Sequence, residues 1–154
     1  MQSFFRQELI YTDISCSNRT DIIHEMCTRI QNHIKLDPLF EQRVIERENF
    51  ADTEFGNMIA IPHPMIPCEQ ENFVSLAVFS KPVRWEKGNV KYVFLLSLRD
   101  SENTGYEKLH AFLAAICSDK DALKQLEHSP TADTINRLYN QLSQDEEDLD
   151  ELFK

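Results

Sequence analysis

His63 stands between Pro62 and Pro64 at the end of a short apolar run, Met58-Ile59-Ala60-Ile61. An imidazole held in that way is suited to nucleophilic attack or to accepting a phosphoryl group. The apolar run predicts a strand buried on both faces, and Pro62 removes a backbone donor and ends its ladder. His63 is therefore expected where sheet gives way to loop, the place where open α/β sheets bind ligands. Pro64 restricts His63 itself to extended backbone, so the ring loses freedom before any partner arrives. Taken alone, a histidine in this setting more often caps a strand than reacts.

Other chemistry-bearing residues are ambiguous by themselves. His110 sits at the edge of an apolar helical face, one position after Leu109 and three before Leu113, where helix-surface histidines are common. Arg47, in Glu46-Arg47-Glu48, reads as a surface ion-pair partner. His63, Cys68 and His110 could in principle hold a metal, but their spacing matches no standard zinc pattern. Cys68 is also the one candidate for a thiol nucleophile beside a base. Cys16, Cys27, Cys68 and Cys117 are scattered without a C-x-x-C pair, which predicts reduced thiols.

The elements that must position these residues alternate between strand and helix. Leu9-Ile10-Tyr11 reads as a lead-in strand. Thr20 is expected to cap a helix carrying Ile22, Ile23, Met26, Cys27, Ile30 and Ile34 at helical spacing. A second helix over 37–48 delivers Arg47-Glu48 towards the histidine loop. Phe73 to Phe79 and Val90 to Leu98 read as strands, the first broken at Lys81-Pro82 and the second central. The last third is helical: one face of Tyr106, Leu109, Leu113, Ile116 and Cys117, a helix capped by Ser118-x-x-Asp121, and a final helix begun by Ser129-Pro130. The expected fold class is α/β, three-layer, with a mixed central sheet and helices on both faces.

Composition fits one soluble domain. The chain has 154 residues, 42% of them hydrophobic, enough for one sizeable core. No long apolar run or signal-like leader is present, so a cytoplasmic location and no membrane contact are expected. The formal net charge is −10, and half of it falls in the last ten residues, where six acidic side chains face one lysine. That predicts a domain over 1–142 followed by a solvated acidic tail over 143–154. An acidic surface argues against direct nucleic-acid binding and suits a basic protein partner.

Three segments in order carry a family resemblance across roughly residues 4–142. Arg47-Glu48, Thr53 and Phe55-Gly56-Asn57-x-Ile59-Ala60-Ile61-Pro62-His63 resemble the active-site signature of fructose/mannitol-type EIIA domains of the bacterial sugar phosphotransferase system. Pro82-Val83-Arg84-Trp85 with Val90-x-x-Val93-Phe94-Leu95-Leu96 is similar to a second family segment, and Leu109-His110 before an apolar helix is similar to a third.

The resemblance implies that His63, through Nε2, takes a phosphoryl group from the phosphohistidine of the carrier HPr, with no metal or organic cofactor. It implies that His110 donates a hydrogen bond to that group or holds the His63 tautomer, and that Arg47 grips phosphoryl oxygens bidentately. Thr53 and Asn57 are secondary phosphate-site candidates, Thr53 as a hydroxyl donor or as a cap for the Gly56-Asn57 turn. In a transporter the acceptor would be a cysteine of an EIIB domain. In transcriptional regulators and antiterminators the phosphate is a switch, with regulatory domains elsewhere in the parent chain. The wording around His63 is closer to the regulator version.

Overall fold

The computed structural model describes residues 5–66, 72–99 and 106–152. A short 3-10 turn, Gln7–Leu9, leads into β1 (Ile10–Tyr11), followed by α1 (Arg19–Ile30), α2 (Phe40–Phe50), β2 (Ile59–Ala60), β3 (Phe73–Arg84) and β4 (Asn89–Ser97). The helices α3 (Tyr106–Ile116), α4 (Lys120–His128) and α5 (Ala132–Leu152) complete the chain. The sheet runs β1-β3-β4-β2, with β1 parallel to β3, β3 antiparallel to β4 and β2 parallel to β4.

Alternation along the strands divides the core in two. Val74, Leu76 and Val78 of β3 and Tyr92, Phe94 and Leu96 of β4 point to one face, where they pack on Leu109, Phe112, Leu126, Ile135 and Leu138 of α3, α4 and α5. Phe73, Ala77 and Phe79, with Val93 and Leu95, point to the other and pack on Ile22, Ile23, Met26 and Ile30 of α1 and on Phe40 and Val44 of α2. A period of two in the strands meeting a period of about 3.6 in the helices produces helix, sheet and helix layers. The expected α/β three-layer fold is what forms. Phe5, Phe112 and Tyr139 pack edge to face with centroids 5.5 to 5.8 Å apart and fasten the first described residue to α3 and α5.

Local signals moved by a residue or two. Asn18, not Thr20, caps α1, its side chain accepting from the Asp21 amide at 2.9 Å. Asp119, not Ser118, caps α4, accepting from the Ala122 amide at 3.0 Å. The last helix begins beyond Ser129-Pro130, with the Thr131 hydroxyl accepting from the Thr134 amide at 3.2 Å. It also runs past Leu142 to Leu152, through the segment expected as an acidic tail. α2 starts at Phe40 rather than near Asp37 and reaches Phe50.

Pro82 does not end β3. The register with β4 shifts between Val78 and Val83, and the strand resumes as a two-stranded ribbon in which Val83 pairs with Val90 and Arg84 with Asn89. Pro82 falls within that irregular stretch, on exposed backbone, where a missing N–H breaks no ladder.

Candidate active site

β2 is only two residues long because the chain arrives at it through three consecutive left-handed residues, Gly56 (φ 88°), Asn57 (φ 50°) and Met58 (φ 64°). Met58, expected in the strand, is outside it, with its side chain 45% exposed. Its carbonyl nevertheless accepts from the Lys91 and Tyr92 amides at 2.7 and 3.1 Å, so the turn is moored to β4 at once. Ile59 and Ala60 then pair with Tyr92 and Val93, and the Leu96 amide donates to the Pro62 carbonyl at 3.2 Å. His63 follows directly, half-buried, at the end of this short parallel strand.

The ring orientation is set by one hydrogen bond. His63 Nδ1 lies 2.8 Å from the Ile61 carbonyl oxygen, which can only accept, so Nδ1 carries the proton and donates. In the neutral ring Nε2 then holds the lone pair. Phe55, Met58, Met65 and Ile66, all exposed, form an apolar surround in the neighbouring sequence.

Behind the strand lies a polar centre that joins Thr53, expected as a secondary phosphate-site candidate, to Glu48 and Trp85, to which sequence reasoning gave no such role. Glu48, on the last turn of α2, is 2% exposed. Its Oε1 accepts from Trp85 Nε1 at 2.6 Å and from the Thr53 amide at 3.0 Å, and the Thr53 hydroxyl donates to Oε1 and Oε2 at 3.0 and 2.9 Å. The Ile61 amide donates in turn to the Thr53 carbonyl at 3.0 Å and to its Oγ1 at 3.2 Å. Thr53 is thus a buried link between α2 and the histidine strand. The chain's single tryptophan was the available signal, since a buried indole N–H needs an acceptor.

A second carboxylate straps the same loop to the β3–β4 turn. Glu54 accepts from the Glu86, Lys87 and Gly88 amides, the shortest at 2.8 Å. Asp52 pairs with Lys87 Nζ at 3.2 Å. Burial pushes the Asp52 carboxyl upward, but its bonds to the Glu54 amide and the Lys87 ammonium outweigh this and hold it below the usual range.

The remaining expected residues fall around this frame. Asn57 Nδ2 donates to the Cys117 carbonyl at 2.6 Å, joining the loop to the end of α3 rather than pointing a donor at open solvent. His110 is exposed on α3, two turns before Cys117, about 10 Å along the axis. Arg47 Nη1 donates to the Ala51 carbonyl at 2.5 Å, capping the end of α2. A polar cleft of about 440 Å³ between that helix end and the β3–β4 turn is lined by Arg19, Glu48, Asn49, Asp52 and Lys87, among others, but not by His63.

Burial raises the Cys117 thiol above its ordinary value, which keeps it protonated at neutral pH. Cys68 lies outside the described residues, so neither the thiol nor the mixed metal alternative has its third partner in view. Among the described residues no group of three or more His, Cys, Asp or Glu is arranged to hold a metal ion. No helix among them is long and apolar enough to cross a membrane.

Comparison with known proteins agrees with this architecture. The chain is 26% identical over 123 residues to the probable licABCH operon regulator of Bacillus subtilis, covering 80% of this chain and 19% of that one. It is 30% identical over 132 residues to a multiphosphoryl transfer protein of Escherichia coli, covering 83% and 16%. The chain therefore spans less than a fifth of these relatives. Among solved structures, IIA mannitol from Escherichia coli superposes with a TM-score of 0.67 at 19% identity, covering 86% of this chain and 96% of that one, which shows the shared fold. Residues 3–142 match the family described as phosphoenolpyruvate-dependent sugar phosphotransferase system, EIIA 2, and with the strand, helix layers and histidine corner in place the chain belongs to that family.

Proposed function

We propose that this EIIA domain accepts a phosphoryl group from phospho-HPr on Nε2 of His63, and that the phosphate serves as a switch within a longer regulatory protein. The observation that carries the chemistry is the His63 Nδ1 to Ile61 carbonyl bond, which commits the proton to Nδ1 and leaves Nε2 as the nucleophile. In the transfer the Nε2 lone pair forms the new N–P bond while the donor's N–P bond breaks and its electron pair returns to the donor imidazole. The two nitrogens stand in line with phosphorus, and catalysis is mainly positioning and charge stabilisation.

Arg47 and His110 are the proposed sources of that stabilisation. The Arg47 guanidinium would leave the Ala51 carbonyl and turn to phosphoryl oxygens, and His110 would donate to the same group. Exposed Phe55, Met58, Met65 and Ile66 offer apolar area for a docked protein, which would exclude water from the phosphoramidate. No cofactor enters, and the cytoplasm is the proposed compartment.

A regulatory use is favoured by the operon regulator of Bacillus subtilis and by its transcriptional regulator ManR, 23% identical over 117 residues. A transport use has its own support, because a mannitol-specific enzyme IIA component of Halalkalibacterium halodurans is 24% identical over 105 residues. In that second reading an EIIB cysteine takes the phosphoryl group.

Incubation with phosphoenolpyruvate, enzyme I and HPr should add one acid-labile phosphoryl group, and His63→Ala should abolish it. Labelling that persists in His63→Ala would sink the assignment. Efficient onward transfer to an EIIB domain would count against the regulatory use.

A further inference from the structure

Glu48 is an unusual residue to find on the last turn of α2. It is buried, all its partners are donors, the set an ionised carboxylate accepts, and among the described residues it forms no ion pair. The negative end of α2 also lies on its side of the helix. A core selected for stability alone is served as well or better by an apolar side chain at such a place. Three donors from two directions offset the cost: the Trp85 indole from the β3–β4 ribbon, and the amide and hydroxyl of Thr53 from the loop.

Those bonds propagate to the reactive ring through named atoms. With its proton given to Glu48, the Thr53 hydroxyl has lone pairs free for the Ile61 N–H, which it shares with the Thr53 carbonyl. Ile61 is thereby held from its amide side, and the Leu96 amide holds the next carbonyl, that of Pro62. The Ile61 carbonyl between these two anchors is the acceptor that commits the His63 proton to Nδ1.

We propose that Glu48 is a positioning residue for phosphoryl transfer: through Thr53 and Ile61 it holds His63 in the Nδ1–H tautomer with Nε2 available to phosphorus. This deepens the proposed function and rests on it. A neutral imidazole released from such an acceptor favours the proton on Nε2, which removes the nucleophile. Replacing the carboxylate by an amide reverses the polarity at Thr53, because the amide N–H now requires the hydroxyl as acceptor and competes with the Ile61 amide for it.

The test compares Glu48→Gln, Thr53→Val and Thr53→Ser in the whole chain. The tautomer of His63 is read from its ring nitrogen shifts by ¹⁵N NMR in the unphosphorylated protein, with circular dichroism and the urea midpoint as the checks on the fold. Phosphoryl transfer from phospho-HPr is read separately. The expected result is that Glu48→Gln and Thr53→Val populate the Nε2–H tautomer and slow transfer on the order of tenfold to a hundredfold. Thr53→Ser, which keeps the hydroxyl, should match the parent in both.

Parent-like tautomer and rate in a folded Glu48→Gln variant would overturn the proposal. Should Glu48→Gln not fold, a parent-like tautomer in Thr53→Val would do the same. The tautomer needs no phosphoryl donor. A parent chain that HPr never labels would refute the proposed function, whereas the tautomer comparison would still decide what Glu48 does to the ring.

Discussion

His63 Nδ1 and the Ile61 carbonyl oxygen are 2.8 Å apart, two residues along the same chain, and this bond leaves Nε2 as the basic nitrogen. The phosphorylated domain should therefore carry phosphorus on Nε2. Two-dimensional ¹H–¹⁵N spectra, together with ³¹P NMR, distinguish the two phosphohistidine isomers, and a resonance of the Nδ1 isomer would contradict the assignment.

Arg47 has two possible duties, and they can be separated. Its bond to the Ala51 carbonyl caps α2 and is worth about 1 kcal/mol at most on an exposed helix end. Arg47→Ala should leave the urea midpoint nearly unchanged while slowing phosphoryl transfer at least about tenfold. Arg47→Lys should recover little, since an ammonium does not grip two oxygens at once. Equal transfer rates in the parent and both variants would remove Arg47 from the site.

Met58 occupies left-handed backbone that suits glycine, and its exposed side chain gives up little packing if removed. Met58→Gly should stabilise the domain by roughly 0.5–1 kcal/mol, raising Tm by about 1–4 °C. A calorimetric decrease would show that the thioether supports the turn.

Tyr92, on central β4, is buried and its hydroxyl donates to the Leu123 carbonyl at 3.0 Å. Burial, with help from nearby Glu127, pushes its phenol up to about 12. Tyr92→Phe removes that bond and should cost about 1 kcal/mol in denaturant unfolding. The high-pH component of the phenol titration in absorbance should shrink rather than vanish, because burial also pushes the Tyr11 phenol up to about 12.

His24 on α1 and Glu41 on α2 meet at 2.9 Å and tie the two helices together. The hydrogen bond that His24 Nδ1 donates to Glu41 raises the His24 pKa from 6.5, with the carboxylate's charge adding to it. The stability this pair contributes is present in full below 6.5 and is lost as pH rises through the higher folded value. Unfolding midpoints should fall between pH 6 and pH 8, and His24→Gln should flatten that slope. An unchanged slope would assign it to other groups.

Much of this fold was readable because apolar periodicity is a local property. The strand with His63 at its end, α1, central β4 and the three late helices all follow from it. What escaped was the consequence of contacts made at a distance. Glu48 follows Phe40 and Val44 at steps of four, the spacing of one helix face, but the partner that makes a carboxylate acceptable there is Trp85, on another element. Pro82 looked like a terminator because local propensity does not reveal that β3 has by then left the packed sheet. The caps at Asn18 and Asp119 were missed by one or two residues, because several short polar side chains compete at each helix start.

The bond from Asn57 Nδ2 to the Cys117 carbonyl spans sixty residues of chain. It makes the histidine corner a late product of synthesis. A ribosome that has delivered His63 has yet to deliver β4, which pairs with its strand, and α3, whose end receives Asn57. Under the proposed function, a nascent chain would present no finished ring to a phosphoryl donor, and charging would wait until the domain's last third has emerged.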